Sequence, residues 1–151
     1  MLAKPGVGYY PGEPREPEFG CQTVPSANII TGSWAAGREV ALIEAVQAAF
    51  VAAVGTPPSD RDIVVDLYDH SRRIVPDGKS ERYTRVEIKL FPGRTLAAKR
   101  NLYRTIVENL AAAGVPEQEI KILLIEIAAQ DWGIRGGVPA SEVDMGYKID
   151  I

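Results

Sequence analysis

The sequence predicts an α+β fold in which duplicated β-α-β units form a four-stranded mixed sheet with two helices on one face. Three observations carry that prediction. Gly55-Thr56-Pro57 ends a helical stretch and leads into the apolar run Ile63-Val64-Val65, while Gly114-Val115-Pro116 ends a second one and leads into Ile120 to Ile127. The two glycines lie 59 residues apart. Val86, Ile88 and Leu90 alternate with Glu87 and Lys89, which is the period of a strand with one buried face.

Taken in order, a short strand is expected near Ala27 to Thr31. A helix follows from about Ala35 to Val54, because Leu42, Ile43, Val46, Phe50 and Val54 recur at spacings of three and four. Gly55 suits a left-handed end to that helix, and Pro57 and Pro58 prevent its resumption. A second strand runs from about Asp62 to Leu67, and residues 69–83 form a polar connector. The second unit opens with a strand at Thr84. Thr95 is placed to cap a helix that carries Leu102, Ile106 and Leu110. Residues 120–127 are apolar enough to read as a central strand covered on both faces. The end of the chain, residues 147–151, alternates and reads as a short edge strand. Right-handed crossovers place both helices on one side, so the other face of the sheet needs a cover. Self-association supplies one, and an oligomer is expected.

Composition bounds the function. The 151 residues suit one domain with a real core, and 46% hydrophobic and 25% charged residues are ordinary for a globular chain. A net charge of −3 with mixed signs gives no basic stripe, which argues against nucleic acid as a partner. No stretch approaches the roughly 20 apolar residues of a membrane span. One cysteine, Cys21, excludes an internal disulfide, and one histidine, His70, argues against a metal site. No cofactor is expected, and the chain reads as cytoplasmic. Residues 1–24 carry Pro5, Pro11, Pro14 and Pro17 with glycines between them and no apolar signal core. They read as a flexible extension ahead of a domain spanning residues 25–151, which divides into units at 25–68 and 84–127 and a closing segment at 128–151. Tyr9 and Tyr10 are candidates to anchor the extension on a surface.

Four segments, in order, resemble the tautomerase superfamily, which includes 4-oxalocrotonate tautomerase, malonate semialdehyde decarboxylase and cis-3-chloroacrylic acid dehalogenase. Pro92-Gly93-Arg94-Thr95 is similar to the family's Gly-Arg-[Ser/Thr] entry into a helix. Asp60-Arg61 resembles the Asp-Arg step of decarboxylase-like members, and Gln130-Asp131-Trp132-Gly133 resembles the segment after the last strand. Pro25-Ser26-Ala27-Asn28-Ile29 resembles the amino-terminal strand. The resemblance covers residues 25–151 and matches the fused, two-unit members. It implies a homotrimer, and a catalytic amine on an amino-terminal proline.

That proline would be Pro25, which is internal here, so its nitrogen is an amide with no basic lone pair. Two events would free it: initiation at Val24 from a GTG codon followed by methionine removal, or proteolysis. Arg94 is the best candidate to grip a substrate carboxylate with a guanidinium fork; its bland alternative is a surface arginine at a helix start. Asp60 resembles the acid that activates water or assists decarboxylation, against a turn residue paired with Arg61. Trp132 is expected to wall the pocket or a subunit contact, and Arg135 to add positive charge or simply lie exposed. Asp69 and His70 could reach a site mouth. Where many members have Gly-Arg before the first helix, this chain has Gly32-Ser33-Trp34, so Trp34 makes the site more apolar. Phe91 and Pro92 stand where dehalogenase-like and decarboxylase-like relatives place another arginine.

The resemblance implies keto–enol tautomerisation of a small carboxylate-bearing enol, a 2-hydroxy-dienoate or an arylenolpyruvate. Three other readings stand beside it: hydration and decarboxylation of a 3-oxo acid through Asp60; a non-catalytic trimer whose extension covers the pocket; and a ferredoxin-like small-molecule-binding module.

Overall fold

The computed structural model describes residues 25–144. The elements run β1 (Ser26–Gly32), α1 (Glu39–Val54), β2 (Ile63–Tyr68), β3 (Thr84–Leu90), α2 (Leu96–Ala112) and β4 (Ile120–Glu126), then the two-residue strands β5 (Gly133–Ile134) and β6 (Val138–Pro139). The main sheet has the order β2-β1-β3-β4. β1 is parallel to β2 and antiparallel to β3, and β3 is parallel to β4. The duplicated mixed sheet expected from the repeat is what forms. The flexible extension at residues 1–24 and the edge strand expected at 147–151 both lie outside the described residues.

One face of the sheet packs on the paired helices. Ala27 and Ile29 of β1 and Val86, Ile88 and Leu90 of β3 meet Leu42, Val46 and Phe50 of α1 and Leu102, Ile106 and Leu110 of α2. Each large side chain in this set contributes roughly 1.5–3 kcal/mol by leaving water. Gly55 ends α1 in the left-handed conformation at φ 71°, and Gly114 follows α2 at φ 102°. Thr95 caps α2, its hydroxyl accepting from the Ala98 N–H at 3.2 Å. The periodicity and turn chemistry located these features correctly.

Three expectations need correction. The first helix starts at Glu39, not near Ala35: a single 3-10 turn over Ser33–Ala35 leads into Gly37, whose φ of 81° cannot continue a right-handed helix. β4 is an edge strand, not a central one, because β1 and β3 pair in the middle and each crossover places its second strand outside. Its apolar character on both sides leaves Leu123 and Ile125 each 38% exposed. The open sheet face is also less apolar than its strands implied. Val64 is 47% exposed there, but β3 presents Arg85, Glu87 and Lys89 along its centre. Arg85 pairs with Glu87 at 2.9 Å, and Lys89 donates to Asn28 at 3.3 Å. Among the described residues no helix is long and apolar enough to cross a membrane.

Candidate active site at the Pro25 end of the sheet

The register brings four of the sequence-predicted residues to one end of the sheet. Ser26 pairs with Lys89, so buried Pro25 lies beside Leu90, where β3 ends. On its other flank Ala27 pairs with Ile63, and the Ala27 N–H donates to the Asp62 carbonyl at 2.9 Å, which places the Asp60-Arg61 step at the same level. β3 and β4 are parallel, so the segment after β4 also emerges here; the Ile127 N–H extends the ladder to Leu90 O at 2.9 Å. Pro25, Asp60, Arg94 and Trp132 are thus gathered from four separate stretches of chain by strand pairing alone.

Arg94 is half-buried at the turn from β3 into α2 and donates from Nη1 to the Phe91 carbonyl at 3.2 Å. Gly93 makes this turn possible with φ 120°. The N–H groups at the start of α2, of which Thr95 caps that of Ala98, add partial positive charge to that of the guanidinium. Trp132 donates from Nε1 to Ile127 O at 3.1 Å and meets Phe91 edge to face, centroids 5.2 Å apart. Phe91, read from the sequence as the loss of a second arginine, is therefore an aromatic support for Trp132. The alternation of β3 ends at Leu90, and nothing in the periodicity assigned Phe91 a partner.

Asp60 sits in a turn, its N–H donating to Pro57 O at 2.9 Å and its carbonyl accepting from Gln47 Nε2 at 2.9 Å. Burial raises its carboxyl pKa above the ordinary 3.8. The expected alternative, a pair with Arg61, does not form: Arg61 turns to Glu44 on α1. Lys99 and Glu126 form an ion pair that joins the first turn of α2 to the end of β4, a link the sequence did not suggest.

Trp34 stands at the other end of the sheet, after β1, so within one chain it does not join Arg94 and Trp132. Its indole donates to the Thr31 hydroxyl at 3.0 Å; Thr31 meets Thr84 at 2.9 Å, and Thr84 donates to Arg82 O at 2.8 Å. The guanidinium groups of Arg82 and Arg38 lie 4.7 and 5.5 Å from the Trp34 ring centroid. Asp69 and His70 are at this end too, exposed at the start of the connector and lining a cleft of about 290 Å³. Two hydrogen bonds from Ser71 hold the Asp69 carboxyl below its ordinary range. Arg135 is exposed in the β5–β6 turn with φ 48°, and the same turn uses Gly136 and Gly137 at φ 81° and 101°. Among the described residues no three His, Cys, Asp or Glu side chains gather as a metal site.

At the Pro25 end, then, a guanidinium and a helix start suited to an anion meet an aromatic wall and a carboxyl with a raised pKa. Comparison with known proteins places the chain in a family. Residues 60–135 match the family model described as tautomerase enzyme. A probable tautomerase of Ralstonia nicotianae is 32% identical over 57 residues, covering 37% of this chain and 80% of its own. A malonate semialdehyde decarboxylase, FG41, solved with the inhibitor 3-bromopropiolate, is 29% identical with a TM-score of 0.64, over 76% of this chain and 92% of that one. A wild-type fused 4-OT solved as an asymmetric trimer is 26% identical with a TM-score of 0.69, over 78% and 97% of the two chains. The chain belongs to the tautomerase superfamily.

Proposed function

We propose that the protein is a keto–enol tautomerase of a small carboxylate-bearing enol, of 2-hydroxy-dienoate or arylenolpyruvate type, acting through the secondary amine of Pro25 once Pro25 is the amino terminus. The observation that carries this reading is the register that seats Pro25 beside Leu90, directly ahead of Phe91 and Arg94. Initiation at Val24, or proteolysis, converts the inert amide nitrogen into a free amine. Arg94 holds the substrate carboxylate; its positive charge and the apolar wall of Phe91 and Trp132 both disfavour the ammonium form and draw the amine pKa toward neutrality. The neutral amine takes the enol hydroxyl proton, and the resulting ammonium delivers a proton to carbon. The net change is one proton moved from oxygen to carbon, with no cofactor. Arg135 adds positive charge near the mouth of the site.

The reading extends to assembly. The exposed Val64, Leu123 and Ile125 of the open sheet face suit burial in a homotrimer, the state in which the fused 4-OT was solved. In such a trimer Trp34 reaches a substrate only from a neighbouring copy. A cytoplasmic location belongs to the same reading.

The test is the ketonisation rate of phenylenolpyruvate and 2-hydroxymuconate with a chain beginning at Pro25. A positioned proton-transfer group contributes about 10²–10⁴-fold, so activity is expected there and a loss of that size in its Pro25→Ala variant. Equal activity in the two variants overturns the assignment. A second reading, hydration and decarboxylation of a 3-oxo acid, is favoured by the raised pKa of Asp60 and the 29% identity to the decarboxylase. It requires Asp60, so full decarboxylation by Asp60→Asn would discard it. A third reading, a non-catalytic trimer, predicts that Pro25→Ala changes nothing.

A further inference from the structure

We propose that the end of the sheet opposite Pro25 holds a second binding site, for a small organic carboxylate with an apolar body, in the arginine-lined cleft between the connector and the open sheet face. The cleft has a volume of about 310 Å³ and is lined by Arg72, Arg73 and Arg85 with Tyr68, Tyr83 and Ile30 among its walls. Three arginines and no acidic residue line it. The adjoining cleft of about 290 Å³ shares Tyr68, Arg73 and Val75 but also presents Asp69 and Glu81, so its charges balance. The excess of positive charge belongs to one side of the connector.

Arg73 is fixed in place without being neutralised. It donates to Tyr83 O at 2.9 Å and to Glu81 O at 2.7 Å, and these carbonyls orient the guanidinium while leaving its charge intact. Among the described residues no carboxylate lies within 4.0 Å of Arg72 or Arg73; Arg85 has Glu87 at 2.9 Å. Burial, and then the charge of Arg85, lower the Arg73 pKa from its ordinary value, the mark of like charges crowded in a partly desolvated space. A bound carboxylate relieves that crowding and accepts charge-assisted hydrogen bonds.

The walls select the rest of the ligand. Two tyrosine rings and Ile30 offer apolar contact, and Ile74 on the connector, which also lines the cleft, is 99% exposed. A strongly hydrated inorganic anion gains nothing from these groups, whereas a single aromatic or branched aliphatic body covers them. A cavity of this size is at the small end of the roughly 300–1,000 Å³ typical of ligand pockets. None of the lining residues belongs to the Pro25 end, so the proposal does not rest on the proton-transfer chemistry read there; it requires that Ile30 and Arg85, on the open sheet face, stay clear of a neighbouring copy in the proposed homotrimer.

The test is an amide NMR titration of the full chain with phenylacetate, using neutral phenylacetamide as control. Saturable shifts at Tyr68, Arg73, Tyr83 and Arg85 are expected with phenylacetate and not with the amide. Arg73→Gln would release the connector, so the reporting variant is Arg72→Gln combined with Arg85→Gln, which should weaken binding at least about tenfold. Four results overturn the site: no saturable shift, equal binding of the amide, shifts confined to the surroundings of Arg94 and Trp132, or an unchanged Kd in the double variant. A changed oligomeric mass of the double variant by light scattering also overturns it, since a neighbouring copy's carboxylate would then be the occupant.

Discussion

Thr84 stands 59 residues after Pro25, the offset that also separates Gly55 from Gly114, so the two positions open equivalent strands at opposite ends of one sheet. Their surroundings have diverged. Around Thr84 the polar groups are spent on holding the connector: Arg73 grips the carbonyls of Tyr83 and Glu81, Arg82 donates to Gly114 O at 2.8 Å, Lys79 donates to Gln118 O at 2.7 Å, and Glu119 receives both the amide and the hydroxyl of Ser80. Around Pro25 the polar groups are Arg94, the start of α2 and an Asp60 whose carboxyl is pushed up by burial. A repeated unit thus supplies one end where many polar side chains tie down the connector beside the arginine-lined cleft, and one where Arg94 and an Asp60 of raised pKa lie at the level of Pro25.

This contrast can be broken at either end. Among variants that keep Pro25, the largest effect is expected from Arg94→Gln in a chain beginning at Pro25. Losing a charge-assisted pair of about 1.5–3 kcal/mol should cut kcat/KM by roughly 10- to 150-fold while thermal stability stays near that of the parent. Next is Gly32→Ala, because an added Cβ would collide with the Glu81 carbonyl oxygen of the connector. A destabilisation of about 1–3 kcal/mol in urea is expected, with turnover little changed. Thr95→Ala removes the cap of α2 and should cost about 1 kcal/mol by the same measurement.

The smallest effect separates the ends by pH. Hydrogen bonds from Ser80 lower the Glu119 pKa below its ordinary 4.5, so this group adds stability above that value, lost as pH falls through the folded pKa. Asp60 is raised, so its contribution runs the other way: present below 3.8 and lost as pH rises through its folded pKa. Glu119→Gln should flatten the acid limb of a stability–pH curve, and Asp60→Asn should steepen it. Identical curves for both variants would remove the electrostatic distinction between the ends.

Local signals in the chain carried much of this architecture. The alternation through Val86, Ile88 and Leu90, the cap at Thr95 and the helix ends at Gly55 and Gly114 each act within a few residues, so they can be read without knowing the fold. The edge position of β4 was not legible, because Leu123 and Ile125 are as apolar as residues of a central strand. The late start of α1 turned on Gly37, which resembles an ordinary break until its φ is known. The β5–β6 hairpin is two residues per strand, too short for any period. The grouping of Pro25, Asp60, Arg94 and Trp132 followed from family motifs, whereas the place of Trp34 depended on the antiparallel pairing of β1 with β3. Side-chain ties such as Ser80 to Glu119 join residues 39 apart, and no local pattern announces them.

The central claim is that the Pro25 end tunes an amine for proton transfer. The direct measurement is a pH titration of the isotopically labelled Pro25 nitrogen by NMR in a chain that begins there, with and without Arg94→Gln. The account predicts a midpoint drawn down toward neutrality that matches the limb of the pH–rate profile, and an upward move when the Arg94 charge is removed. A midpoint equal to that of a free peptide proline, unmoved by Arg94→Gln, would contradict it.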